Sequence, residues 1–405
     1  MEELRELTEG AGTAAPSEQE SLTMSGTFDH HRIGPLPSFL AAPSGEAVKR
    51  VRMPTGDHMW LVTDYAVGRA ALADTRLSRA AATHPDAPKW GSVDLSPNSI
   101  MSLDGADHAR LRRVAGAAFT SARVTAQAAV IEEAAGALLD QLQVAGPGAD
   151  LVSGYTSPLP MVALSSLLGV PVADRPVFDA AVTALFDMTP RGVRRRGRHV
   201  LTLIKYMSSL IERKRDVPGQ DLLSALVQVE QSGEISRTEL INLGLALLMA
   251  GYETTAHQLS LAILELLTDG APGGKSMEAL VEELLRKTPS TPISFPRVAN
   301  EDLVLGGATV RQGEAVIVSL LHCNHDTEVF RTSGVSSNAR RPAHLTFGHG
   351  AHRCLGAPLV LLQMKIALTL LWQRFPGLRL APGDGALVWR EGLATRGVSR
   401  LVVEW

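Results

Sequence analysis

Cysteine is scarce in this chain: Cys323 and Cys354 are the only two among 405 residues. Two thiols build neither a disulfide framework nor an iron–sulfur cluster, and such usage suits a reducing cytoplasm. Charge of one sign is lacking too. A formal net charge of −3 gives no reason to expect nucleic acid as a partner. Long apolar runs are missing as well. The longest, Leu243 to Gly251, falls far short of the roughly 20 residues that cross a bilayer, so no membrane is expected. Residues 1–26 are rich in Glu, Ser, Ala and Gly and have no signal-peptide core; they are expected to be a disordered leader. What the chain does have is hydrophobic residues, 45% of the total, enough to fill a large core over 27–405.

The stretch Phe347-Gly348-His349-Gly350-Ala351-His352-Arg353-Cys354-Leu355-Gly356 is a glycine-punctuated loop. It delivers Cys354 to an apolar helix expected from Leu355 to roughly Phe375. Its glycines permit positive φ or the close backbone approach that a bulky flat ligand requires. At a helix N-terminus the dipole and open N–H groups favour a thiolate, which is a strong ligand for haem iron. By residue type alone, such a cysteine is as readily a small packed side chain. His344, His349, His352 and Cys354 also have types and spacing that zinc accepts, although no second cluster exists to complete a paired site.

A second informative stretch is the helical pattern from about Ser236 to Leu267, about 48 Å of helix opened by a Ser236–Glu239 capping box. Inside it, Ala250-Gly251-Tyr252-Glu253-Thr254-Thr255 breaks an apolar face with glycine, a carboxylate and two hydroxyls. Gly251 and the threonine hydroxyls predict a kink or bulge there, which Thr254 and Thr255 could be serving by themselves. Elsewhere, His108 and Arg112 share a helix face, as do Glu283 and Arg286. Other helices are expected over 64–77, 123–144, 159–168, 175–188 and 277–287, with Asp64 near an N-cap. A strand is expected over 59–62, and strands over 303–310 and 315–319 are expected to pair through a turn at Arg311-Gln312-Gly313. The basic run from Arg191 to Arg198 reads as a solvated helix face.

Taken together, these stretches resemble the cytochrome P-450 family. Phe347, Gly350, Cys354 and Gly356 match every fixed position of its haem signature, and Ala250 to Thr255 resembles its oxygen-activation motif. The resemblance runs from about Pro35 to Trp405. It implies a mainly α, single-domain P-450 fold with small β-sheets, and haem between the long central helix and the cysteine-loop helix. The implied cofactor is haem b (heme b, iron protoporphyrin IX) with the Cys354 thiolate as axial metal ligand. Phe347, Gly348, Gly356 and Ala250 would lie against it, and His108, Arg112, Arg297 and His352 would hold its propionates. Glu253 and Thr254 match the acid–alcohol pair that delivers protons during oxygen activation. Ala246, Met249, Ala250, Ile293 and Ser294 match substrate-facing positions, while Glu283 and Arg286 are structural. The implied activity is oxygen-dependent oxidation of a fairly bulky, largely apolar small molecule of the secondary-metabolite kind. Electrons would come from a ferredoxin and its ferredoxin reductase, in the cytoplasm. Oxidative C–C or C–O coupling, or a non-catalytic haem sensor or carrier, are the alternatives. The chain departs from the family at the short loop 269–274, in the loop 331–341, and at Gln363, where glutamate is frequent.

Overall fold

The computed structural model describes residues 36, 39–40, 45–89, 96–117, 119–174, 181, 190–270, 276–330, 342–390 and 395–405, with side chains of 190–196 excepted. The expected leader, the loop 331–341, most of 269–274, and all but Ala181 of the helix expected over 175–188 lie outside these residues. So do the side chains of the basic run before Gly197. The chain divides into two compact units, each assembled from segments far apart in sequence.

The first unit comprises Asp94–Val281 and Leu355–Trp405, apart from a short N-terminal stretch. It is organised around the helix Arg237–Asp269, 33 residues long and buried along most of its length. The capping box is present: the Ser236 hydroxyl accepts from the Glu239 N–H, and the Glu239 carboxylate accepts from the Ser236 N–H. Helices Pro158–Leu168, Pro190–Asp216 and Ala357–Arg374 pack against this helix, and Ala128–Ala145 packs against Pro158–Leu168 and Ala357–Arg374. The helix expected over 123–144 is two helices, Ser121–Ala126 and Ala128–Ala145. At Gln127 the N–H bonds back three residues to the Val124 carbonyl, a tighter turn than the α-helix makes. Two buried contacts tie the unit's elements together. The Tyr155 hydroxyl donates to the Ala367 carbonyl at 2.9 Å, and the Thr156 and Ser260 hydroxyls meet at 2.6 Å. A small antiparallel sheet completes the unit, with Val398–Glu404 pairing Leu387–Trp389, Ala149–Asp150 and Arg379–Leu380.

The second unit is built on a five-stranded sheet in the order Val48–Arg52, His58–Val62, Ala315–Val318, Arg297–Ala299, Leu77–Ser78. Ala315–Val318 is buried at every position and runs parallel to His58–Val62. It therefore does not pair with 303–310 as expected. Instead Leu303–Leu305 and Ala308–Val310 close on each other. Gly306 and Gly307, at φ 54° and 85°, supply the two left-handed residues of a tight hairpin turn. Asp64 caps the helix Tyr65–Ala73 by accepting from the Val67 N–H at 2.8 Å. This helix stops short of Leu77 because the Asp74 carboxylate captures the Arg76 N–H and guanidinium, after which Leu77–Ser78 joins the sheet. Cys323 lies in a short helix, Leu320–Asn324, capped by Ser319, and its thiol donates to the Asp64 carbonyl. No single helix among the described residues is long and apolar enough to cross a membrane.

Candidate functional site

The cysteine loop belongs to the second unit. Gly348 and Gly350 both take positive φ, 67° and 75°. The loop folds on itself: the Gly348 N–H donates to Leu345 O at 2.7 Å and the Cys354 N–H to Phe347 O at 2.8 Å. A Cβ on Gly350 would fall 2.7 Å from the Leu72 carbonyl oxygen and 2.9 Å from the Ala73 Cα. Backbone atoms cannot yield as a flexible side chain can, so only glycine lets the loop sit on the end of the helix Tyr65–Ala73. Cys354 emerges exposed, whereas Cys323 is fully buried and burial pushes its thiol pKa up. The following helix begins at Ala357 with Gly356 as its N-cap, two residues later than the sequence suggested, and ends at Arg374. Pro358 in the first turn suits that start, since its missing N–H would have had no helical partner.

The loop is tied from behind. Arg286 grips the Glu283 carboxylate through two bonds, 3.0 and 2.6 Å, and donates to Asn324 O at 2.6 Å. Asn324 in turn accepts from the Leu345 N–H at 2.6 Å and donates to the Thr346 hydroxyl, which bonds Leu285 O. Glu283 and Arg286 thus hold residues 345–346, immediately ahead of Phe347, through Asn324. His344 turns instead to Glu282, Nε2 to Oε2 3.0 Å, and lowers that carboxyl's pKa. Among the described residues no three His, Cys, Asp or Glu side chains are grouped to hold a metal ion, so the zinc reading lacks a ligand set.

Other residues of this unit sort by exposure. Arg297 is buried in its strand, and His352 is half-buried in the loop. Ile293 is 5% exposed and packs in a core with Leu61, Ile317 and Leu321. The Ser294 hydroxyl accepts from the Val318 N–H at 3.0 Å. The outward residue of this segment is Phe295, 38% exposed, with the Arg79 guanidinium 4.9 Å from its ring centre. Proline-broken backbone hides such an alternation from sequence reasoning, and Phe295 was missed for that reason.

In the first unit the geometry of the long helix is informative. From Leu240 to Leu266 every residue is buried or half-buried except one, Ala250. Thr254, one turn on, is half-buried, as is Met249, whereas Ala246 is buried. The Thr254 hydroxyl donates to Ala250 O at 2.5 Å and that of Thr255 to Gly251 O at 2.8 Å. The helix stays α through this stretch, with no π or 3₁₀ turn where a bulge was expected. Gly251 instead makes room, since a Cβ there would press on Leu164 at 3.2 Å. On the helix Gly105–Gly116, His108 is buried and Arg112 half-buried.

Glu253, unlike Ala250, is buried. Its Oε1 accepts from Arg390 Nη1 at 2.9 Å, and the same nitrogen donates to His257 Nε2 at 2.9 Å. Arginine can only donate, so His257 Nε2 is the acceptor and Nδ1 carries the proton toward the Thr395 hydroxyl, 3.0 Å away. Burial, helped by the Arg390 charge, pushes His257 down to about 3. In the unfolded chain that histidine takes up a proton near 6.5. Its contribution is therefore complete above pH 6.5 and is lost as pH falls toward 3, on the order of 5 kcal/mol at 1.36 kcal/mol per unit. Thermal midpoints measured from pH 7 to 4 should fall less steeply in His257→Gln than in the parent. Parallel curves would show that His257 is not the group being protonated.

A family model described as Cytochrome P-450 matches residues 275–383. The chain is 36% identical over 378 residues to the nocardicin C N-oxygenase of Nocardia uniformis subsp. tsuyamanensis, covering 91% of this chain and 95% of that protein. It is 37% identical over 372 residues to the mycinamicin IV hydroxylase/epoxidase of Micromonospora griseorubida, covering 89% and 93%. Among solved structures, a cytochrome P-450 with biaryl coupling reactivity superposes with a TM-score of 0.81 at 29% identity, over 93% of this chain and 98% of that one. Full-length relatives at this identity, together with the mainly helical fold and its small sheets, settle the assignment: this chain belongs to the cytochrome P-450 family.

Proposed function

We propose that this P-450 monooxygenase-type oxidoreductase oxidises a fairly bulky, largely apolar small molecule, with the reacting face of the substrate over Ala250 and Thr254. One observation carries this reading. In the middle of a core helix, the single exposed residue is an alanine, with a threonine hydroxyl one turn away. A large side chain at Ala250 would close the opening that alanine leaves.

Haem b with a cysteine thiolate ligand is the family's cofactor, and this chain's donor set fits it. Cys354 is the exposed cysteine, while Cys323 is sealed in the core. We assign Cys354 as the axial ligand, with Phe347, Gly348, Gly356 and Ala250 against the ring. His108, Arg112, Arg297 and His352 are assigned to the propionates, and charge-assisted bonds of that kind contribute roughly 1.5–3 kcal/mol each. When bound, the haem supplies oxygen activation. The protein's part is to position substrate, limit water and place protons. Thr254 offers a hydroxyl that donates, accepts and holds a water, while Glu253 is the acid of the pair. Met249 and Ala250 form the substrate wall, with Ala246 beneath. Ile293 and Ser294 act from inside their own unit, shaping the segment that presents Phe295. A ferredoxin and its reductase in the cytoplasm are the proposed electron source. Hydroxylation is the first reading. Oxidative C–C or C–O coupling is the second, supported by the structural relative with biaryl coupling reactivity.

The test is Ala250→Phe. Bulky apolar ligands that shift the ferric Soret band of the parent should bind the variant at least about tenfold more weakly, a cost of ~1.4 kcal/mol. The variant's resting haem spectrum should be unchanged. Equal affinity in parent and variant would take Ala250 out of the pocket wall.

A further inference from the structure

The C-terminal hairpin of the first unit brings a second set of residues to Glu253. Arg390 follows the strand Leu387–Trp389, and its N–H donates to Gly397 O at 3.0 Å. Across from it, Thr395 and Gly397 lead into Val398–Glu404. A Cβ on Gly397 would lie 2.5 Å from two carbons of the His257 ring, so glycine is what allows the hairpin to close over that histidine. The result is a chain of contacts: Thr395 hydroxyl, His257 ring, Arg390 guanidinium, Glu253 carboxylate. Glu253 is 3% exposed at its side chain and Arg390 29%. Of these two, only Arg390 reaches water.

This arrangement is costly for a purely structural staple. A buried acid and its cation are seldom more stabilising than apolar residues of the same shape. Here the acid stands next to Thr254 in sequence, and a neutral histidine fixes the cation's second bond.

Resting on the reading of Glu253 as the acid of the proton-delivery pair, we propose that Arg390 is its positioning residue, oriented by His257 and Thr395. Arg390 supplies the counter-charge for the buried carboxylate and fixes its place on the helix. It does not carry a proton, because a guanidinium does not release one near neutral pH. Protons reach Glu253 from water at the exposed edge of Arg390.

The experiment uses the haem-loaded protein, with an apolar ligand that shifts the Soret band as substrate. Arg390→Gln, Arg390→Lys and Glu253→Gln are compared for the share of reductant electrons that reach product and not hydrogen peroxide. Arg390→Gln should lower that share about tenfold to a hundredfold, with ligand affinity unchanged. Arg390→Lys should recover most of it, since lysine restores the charge. Infrared spectra at neutral pH give a readout independent of turnover. Arg390→Gln should show a protonated-carboxyl stretch that disappears when Glu253→Gln is added. If Glu253→Gln loses coupling while Arg390→Gln keeps it and shows no new band, the positioning role is overturned. If Glu253→Gln itself keeps full coupling, the reading of Glu253 fails and the role of Arg390 in catalysis falls with it, whatever the infrared band shows. Should Arg390→Gln not fold, Thr395→Val is the milder variant. Removing the hydroxyl that orients His257 should produce a smaller loss of coupling, and no loss at all would contradict the chain of contacts.

Discussion

Replacing Cys354 with serine is expected to abolish the long-wavelength Soret band of the ferrous–carbon monoxide complex, and turnover with it. The band reports a thiolate on iron, and a serine hydroxyl cannot give an equivalent ligand near neutral pH. The loop should survive the change. Its shape comes from Gly348 and Gly350 and from the backbone bond between Cys354 N–H and Phe347 O, none of which involves sulfur. Any loss of the band is then a ligand effect, not a folding effect. Cys323→Ala is the control. Its thiol is buried and bonded to Asp64 O, so the variant should lose about 1 kcal/mol of stability while keeping the band in full. A Cys354→Ser protein that retained the band would assign the ligand elsewhere.

Thr254→Ala should be nearly as damaging to product formation while leaving the spectrum and ligand binding intact. The hydroxyl bonds Ala250 O at 2.5 Å in the resting helix, but the neighbouring Thr255 makes the same kind of bond, to Gly251 O. Losing one such bond should cost the helix little, since the α-helical ladder is continuous without it. What the variant loses is a donor at the half-buried position next to the exposed alanine. Positioned proton transfer of this type contributes about 10²–10⁴-fold, so product formation should fall by that factor. Reductant should still be consumed, with its electrons leaving as hydrogen peroxide. Wild-type product yield without extra peroxide would reduce Thr254 to a helix-stitching residue.

Both variants fall on stretches that could be read from sequence, because their signals are local. The cysteine loop and the Ala250 to Thr255 stretch are contiguous, and the Ser236–Glu239 capping box needs only a spacing of three. Pairings between distant residues were not legible. That Ala315–Val318 joins His58–Val62 in parallel depends on contacts some 250 positions apart, whereas the Gly306-Gly307 hairpin was a local cue that went unread. Arg390 belongs to the same class. Glu253 was legible as the acid beside Thr254, but only the folded C-terminal hairpin reveals that its carboxylate is buried against a guanidinium. Exposure within a helix is equally non-local. Ala246, Met249 and Ala250 are indistinguishable by periodicity, yet only Ala250 is exposed.

The interleaving of distant segments has a consequence for synthesis. The Leu401 N–H donates to the Asp150 carboxylate at 2.8 Å across 251 positions of chain, and Val402–Val403 pairs with Ala149–Asp150 beside it. A ribosome adding about 5–20 residues per second needs roughly 12 to 50 seconds to make the intervening chain. For that interval the helices of the first unit exist without the strand that seals Ala149–Asp150, and without the hairpin that covers His257. The apolar faces that Val398–Glu404 covers must therefore wait exposed. A chain stalled before Arg390 should be captured by hydrophobic-binding chaperones and cut readily by protease, and one that carries Val398–Glu404 in place should not.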